Sequence, residues 1–533
     1  MKRRDFLKNA GIIGGGGLVG GTILHWLVPL TSPSELALAE NHNSPLLEAS
    51  GNSLGLPGSD GFLGIFAPEG RPFDISAIGT EHSLTGGEST AMNLYRVSRN
   101  GKTWYNPILR VKQGEQLQAT LHNELNQETI IHWHGMHLNW KNDGHPSQVV
   151  GRGESYTYDF TVKNRGGTYW YHPHPHGLTG LQVVMGLAGL LIVEDENDRS
   201  LRDALDLELG MTELPLVIQD RRLDRAGNVL YDLNHMEGFL GYHGDSIMSN
   251  YLVNASLDVE TRIYRLRILN GSNSRTYRLA FTEERRRLPF HVIGVDGGFL
   301  EEPREAAEVF LSPGERLDLL VDFSQFSKGD TVFLRSLEFD PMIQPMGMMG
   351  RGMMGGFSLP PGAPFPVTRF EVKKKVSYDR KIPSRLSDVP VIEPGKARVR
   401  EFRLGHSMMQ WLINDHSFQM MQVVEEVNRG ETEIWEIRNS RASQPHPMHI
   451  HGFSFKVLER IGSPSQVRAL AVDNSGRQVN DFGMKDTVLV WPGETVRIAI
   501  DFTHGFPGEQ LYLFHCHMLE HSDRGMMVNY RVS

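Results

Sequence analysis

Cysteine is all but absent from this chain. Its 533 residues include one, Cys516, so no internal disulfide can form. Long helical periodicity is missing as well, which argues against a helical bundle or a coiled coil. A basic surplus is lacking: 54 Lys and Arg against 63 Asp and Glu leave a net charge of −9. With no basic footprint, a nucleic acid partner is not expected. Beyond residue 30 no run is apolar enough to cross a bilayer. What is present is a globular composition, 39% hydrophobic and 22% charged, with 56 Gly and 28 Pro that suit a loop-rich β protein. A chain of this length is expected to form about three domains.

The N-terminus carries an address. Lys2-Arg3-Arg4-Asp5-Phe6-Leu7-Lys8 is a twin-arginine signature ahead of an apolar, Gly-rich stretch over 9–30. Ala37-Leu38-Ala39 offers small residues for cleavage, so residues 1–39 read as a signal peptide and the mature chain as starting at Glu40. An uncleaved anchor is the alternative, weakened by the glycines and His25. Export by the twin-arginine machinery, to the periplasm or the outside, is the expectation. In such a compartment a lone thiol risks oxidation unless it is buried or metal-bound, and Cys516 has a histidine on either side.

Residues 40–60, rich in Asn, Ser, Gly and Pro, read as a flexible lead-in. Thereafter short β-branched and aromatic runs alternate with turns, as at 116–121, 155–162, 263–269 and 496–502. That pattern predicts an all-β chain of sandwiches or barrels. A Gly-Glu phrase before a strand recurs at Gly114-Glu115, Gly153-Glu154, Gly314-Glu315, Gly430-Glu431 and Gly493-Glu494, as if one design were used three times. The acidic stretch 194–198 and the polar segment 373–396 divide the chain into domains at 61–198, 199–372 and 397–533, with 373–396 a surface linker.

Ten of the 23 histidines fall in four groups: His132-Trp133-His134, His172-Pro173-His174, His446-Pro447-Met448-His449-Ile450-His451, and His515-Cys516-His517 with His521. On a strand, residues i and i+2 share a face, so each His-x-His sets two imidazoles side by side. Any one such pair is more often a pair of ordinary histidines. Four of them supply eight imidazoles, about enough for three metal ions with open positions. In the last group the Cys516 thiolate faces one side of the strand and both neighbouring imidazoles the other, joining two metal sites about 10 Å apart. Cys516, His446 and His521 make a His₂Cys set with Met526 as a weak axial thioether, which is the blue-copper arrangement; structural zinc would want four strong ligands.

These motifs, in this order, resemble the multicopper oxidase family: His-x-His-Gly, His-x-His, His-Pro-x-His-x-His and His-Cys-His-x₃-His-x₄-Met. The resemblance spans the mature chain, including a copper-free middle domain with Pro215–Asp220 and Leu269–Ser272, and is closest to three-domain bacterial cuprous oxidases and spore-coat laccases. It implies three tandem cupredoxin-like Greek-key domains and four coppers per chain. The type 1 copper would take His446, Cys516, His521 and Met526; type 2 His132 and His449; the two type 3 coppers His134, His172, His174, His451, His515 and His517. It further implies that four electrons from a small reducing substrate pass through Cys516 to a cluster that reduces O₂ to two waters. A monomer is expected. Asp143 matches the family's carboxylate near the type 2 copper, there to orient water and pass protons. Where bacterial relatives carry Glu after the last copper histidine, this chain has Ser522; either Asp523 stands in or the relay is slower.

The substrate is left open. An axial Met526 implies a modest potential and easily oxidised donors. The segment 341–357, with Met342, Met346, Met348, Met349, Met353 and Met354 among Gly and Pro, reads equally as a Cu(I)-catching loop or a tolerated insert. Against Cu(I), residues 440–445 lack the Asp-Met-Met ligands of the best-matched cuprous oxidases, so laccase-type oxidation of phenols and aromatic amines is the rival. A storage or structural role is the remaining alternative, since some exported relatives keep the fold, lose the ligands and serve in cell division. His176, just past the second pair, reads as structural.

Overall fold

The computed structural model describes residues 51–343 and 358–533. The signal peptide reading over 1–39 lies outside them, as do five of the six loop methionines, Met346, Met348, Met349, Met353 and Met354. Met342 is described. Its backbone N–H donates to Asp340 Oδ1 at 2.8 Å.

Six sheets pair into three sandwiches along the chain. In the first, a six-stranded sheet including Phe73–His82, Thr90–Arg99, Gln116–Asn123 and Ser155–Thr161 faces a five-stranded sheet holding Ile131–His134, Gly167–Pro173 and Gly189–Glu194. The middle sandwich has sheets of seven and eight strands, and the third has two of five. The alternation legible in the sequence is the burial pattern. Along Gln116–Asn123 every second residue, from Leu117 to Asn123, turns inward. Each sandwich has its own apolar core, around Trp133 and Tyr158 in the first, Phe281 and Phe370 in the second, and Trp435 and Phe514 in the third.

The recurring Gly-Glu phrase is one turn built five times. All five glycines have positive φ, from 79° to 86°, a region open to Gly without a Cβ penalty. In four of them the glutamate reaches back three residues and accepts a backbone N–H: Glu115 from Lys112, Glu154 from Gly151, Glu315 from Ser312 and Glu494 from Trp491, at 2.7–2.9 Å. The turn is thereby closed before each strand starts.

Three boundaries differ from the sequence reading. The lead-in is not wholly loose, because Asn52–Ser53 adds a parallel strand beside Ala255 and Ser256 of the middle sandwich. The division at 198/199 falls inside the helix Glu196–Leu205, whose Asp195 cap accepts from the Asp198 N–H and whose Asp198, Leu201 and Leu205 are buried. The linker starts after Lys374, where the strand Phe365–Lys374 ends, and it is pinned: Leu386 and Ser387 are buried, and Ser387 Oγ accepts from Arg165 at 2.7 Å. Among the described residues no helix is long and apolar enough to cross a membrane.

Candidate metal centres

Strand register brings the histidine pairs together. Ile131–His134 runs antiparallel to Gly167–Pro173 with His132 opposite His172, while Trp133 points the other way into the first core. In the third sandwich His446–Ile450 lies antiparallel to Gln510–Cys516, with His449 opposite His515 and Met448 opposite Cys516. Met448, Ile450 and Cys516 enter the third core, so His449, His451 and His515 share the opposite face. The two faces meet, bringing the first and third sandwiches together.

At that junction the eight histidines sort into two trios and a pair. His174, His451 and His515 form one trio: the His515 Nε2 is 3.0 Å from His451 Nε2 and 3.4 Å from His174 Nε2. The rings of His134, His172 and His517 form the second, with centroids 5.0–5.6 Å apart. His132 and His449 face each other at 3.4 Å between Nε2 atoms, a spacing that two nitrogens on one ion adopt at about 2.0 Å each. All eight are buried. Desolvation lowers the pKa of seven of them, His172 to about 3, so these imidazoles are neutral, as metal ligands must be.

The tautomers are set from behind. The Nδ1 atoms of His132, His172, His449 and His515 lie 2.6–2.9 Å from the carbonyls of Asp143, Pro173, Asp486 and Cys516, which leaves each Nε2 free to ligate. Buried nitrogens without a partner remain at His134, His172, His174 and both positions of His517. Unsatisfied buried polar atoms each cost about 1–3 kcal/mol. A cluster of them on neutral imidazoles fits metal ions.

The second centre is single. Cys516 Sγ lies 3.5 Å from Nδ1 of both His446 and His521, all three fully buried. Met526 is buried in the same core, and its carbonyl accepts the Cys516 N–H at 3.1 Å. Burial pushes the thiol pKa up, so a cation is needed to hold the thiolate.

Four carboxylates surround these centres, two of them picked out by sequence. Asp143 Oδ2 lies 2.7 Å from His451 Nδ1, and burial raises its pKa well above the usual range. Asp523 sits elsewhere: it accepts the backbone N–H groups of Gly177, Thr179 and Gly180 at 2.8–3.1 Å, at the start of the helix Thr179–Val184. Burial pushes its pKa up to about 7 against the pull of those amides. Asp486 and Glu520 were not singled out. Asp486 Oδ1 lies 2.9 Å from His134 Nε2, and Arg316 donates to both Asp486 oxygens at 2.8 and 2.6 Å. Burial alone would raise the Asp486 pKa, but Arg316 and then His134 hold it well below the usual range. Glu520, next to His521, accepts from Asn273, Ser274, Tyr231 and the Tyr242 N–H of the middle sandwich at 2.6–3.0 Å. No local motif marks either residue, since their partners come from other domains. His176 packs edge-on against Phe418, with ring centroids 4.9 Å apart.

Models of multicopper oxidase domains match residues 86–198 and 388–533. A multicopper oxidase of Staphylococcus haemolyticus is 30% identical over 432 residues, covering 80% of this chain and 82% of that protein. The chain belongs to the multicopper oxidase family. Among solved structures this multicopper oxidase is similar to McoA from the hyperthermophile Aquifex aeolicus, at 41% identity and a TM-score of 0.80, over 91% of this chain and all of that one. It is also 29% identical over 496 residues to the cell division protein FtsP of Pectobacterium atrosepticum, covering 92% of this chain and 95% of that protein. Family membership makes it an oxidase with four coppers, three cupredoxin-like domains, and O₂ and a reducing substrate as reactants.

Proposed function

We propose that this multicopper oxidase is an exported, monomeric, laccase-like enzyme that takes electrons singly from small, easily oxidised phenols and aromatic amines. The observation that carries the reading is the strand Gln510–Cys516 and its continuation to His517. It ties the Cys516 thiol, 3.5 Å from two imidazoles, by one covalent step to His515 and His517 in the trios. His446, Cys516, His521 and Met526 would hold the mononuclear copper, and His132 with His449 the type 2 ion. His134, His172, His517 and His174, His451, His515 would hold the type 3 pair. Bound copper supplies one-electron chemistry at the first site and four-electron reduction of oxygen at the cluster.

The chain's own residues do the rest. Cys516 and its neighbours form the electron path. Asp143 orients His451 through Nδ1 and is the buried carboxylate placed to pass protons toward the cluster. Asp143→Asn is expected to slow oxygen uptake by about 10–100-fold at full copper content. Asp523→Asn, which turns charge-assisted bonds from three backbone N–H groups into neutral ones, should cost about 1 kcal/mol of stability and leave turnover nearly unchanged. Oxygen uptake and thermal unfolding of the two copper-loaded variants check both; equal turnover loss would reassign Asp523 to proton transfer.

The presence of every ligand favours turnover over a role in cell division such as FtsP's name states. Steady-state oxygen uptake with Cu(I), Fe(II), Mn(II) and a phenol series on copper-loaded protein tests this, and a blue protein that consumes no oxygen would overturn it. The run of methionines over 342–354 favours Cu(I) oxidation as a second reading. Deleting 342–354 should then lower Cu(I) turnover and spare phenol turnover. Cu(I) oxidation indifferent to the deletion would discard the loop's role.

A further inference from the structure

We propose that Trp411 conducts electrons from a donor docked at the surface to the mononuclear site, an inference that rests on His446, Cys516, His521 and Met526 holding that copper. Neither imidazole offers an edge to solvent. His446 and His521 are fully buried, and their outward Nε2 atoms are already engaged, His446 with Ser443 Oγ at 3.0 Å and His521 with the Phe239 carbonyl at 3.0 Å. A donor therefore cannot touch the ligands directly.

What lies over them is a packed aromatic path. The helix His235–Leu240 brings Phe239 from the middle domain onto Trp411, with ring centroids 4.4 Å apart and planes within 12°. The indole centroid is 4.7 Å from His446 and 5.2 Å from His521. Trp411 Nε1 donates at 2.8 Å to the same Phe239 carbonyl that faces His521 Nε2, so one oxygen links indole and ligand. On the outer side the exposed His406 stands 5.0 Å from the indole, across the hairpin of Arg398–Ser407 and Gln410–Ile413. Met408, 89% exposed, is in the turn of that hairpin. A continuous line thus runs from solvent through His406 and Trp411 to both copper imidazoles.

Electron tunnelling decays steeply with distance and passes better through packed π systems and hydrogen bonds than across gaps. The docked donor loses one electron, which ends on the mononuclear copper, and a phenol releases its hydroxyl proton to water. The indole is neither oxidised nor reduced. Such a path suits donors that react by outer contact alone, planar phenols and aromatic amines. A buried tryptophan is ordinarily a packing residue, and rate and spectrum separate the two roles.

The test uses copper-loaded protein without oxygen, with hydroquinone as donor and decay of the blue band as readout. Trp411→Leu should slow that decay by about 10–100-fold, the loss expected when a contact is misplaced, with the blue spectrum and the potential of the site unchanged. Trp411→Phe, which keeps the stack on Phe239 and loses only the Nε1 link, should fall between, and it decides the matter if the leucine variant does not fold. Decay at or above the wild-type rate in the folded variants would overturn the proposal, making Trp411 a cover. A wild-type protein with no blue band would instead defeat the reading of the site itself.

Discussion

Cys516→Ser is expected to remove the blue absorption and lower oxygen uptake at least about a thousandfold, the scale seen when a member of a group acting as one unit is lost. Serine is nearly isosteric, so the strand Gln510–Cys516 and its partners His446–Ile450 and Met527–Val532 keep their register. His515 and His517 stay where they are, and the cluster should still load three coppers. The mononuclear site loses its thiolate, leaving His446, His521 and Met526 with a hydroxyl in an apolar core and about 1–3 kcal/mol less stability. Copper content falling from four to three, with the signal of the type 2 ion retained, would place the loss at electron delivery. Substrate oxidation at an undiminished rate would show that electrons reach the cluster without Cys516.

The clustered histidines and Cys516 were legible because strand geometry writes their grouping into the sequence. A period of two puts His132 and His134, or His515 and His517, on one face, and a single cysteine between histidines leaves little else to consider. What supports these candidate ligands was not legible. Asp486 meets Arg316 across 170 positions, and Glu520 meets Asn273 across 247. Neither residue has a local signature, because each interaction exists only once separate sandwiches dock. The same holds for Trp411, an ordinary strand tryptophan until Phe239 of another domain covers it. Boundaries were blurred for a related reason. The stretch at 52–53 pairs with a sheet some 200 residues away, and no local composition announces such an added strand.

Arg316→Met should destabilise the protein by about 3–5 kcal/mol, because it leaves the buried Asp486 carboxylate without its countercharge. Arg316 uses every N–H it has. Nε donates to the Thr168 carbonyl of the first domain, at 3.0 Å. The two terminal nitrogens donate to the carbonyls of Gly314 and Asp296 in the middle domain and to Asp486 of the third, at 2.6–3.0 Å. One guanidinium therefore laces three sandwiches directly behind the cluster. Around it the space is closed: a Cβ on Gly314 would come within 2.9 Å of the His517 ring, and one on Gly135 within 2.6 Å of Arg316 itself. Asp486 carries the effect to the ligands, since its carboxylate faces His134 Nε2 and its carbonyl holds His449 Nδ1. Loss of the arginine should thus weaken copper binding at the cluster by about 10–100-fold. The blue band, whose ligands lie elsewhere in the third domain, should persist. Adding Asp486→Asn removes the stranded charge and should recover much of the stability without restoring cluster copper, because the paired groups that oriented His134 are gone. Thermal unfolding of the copper-free proteins isolates the ion pair from metal binding, and copper counts on the loaded proteins read the ligands. An Arg316→Met protein that unfolds like the wild type and holds four coppers would show that the middle domain has no part in keeping the cluster in place.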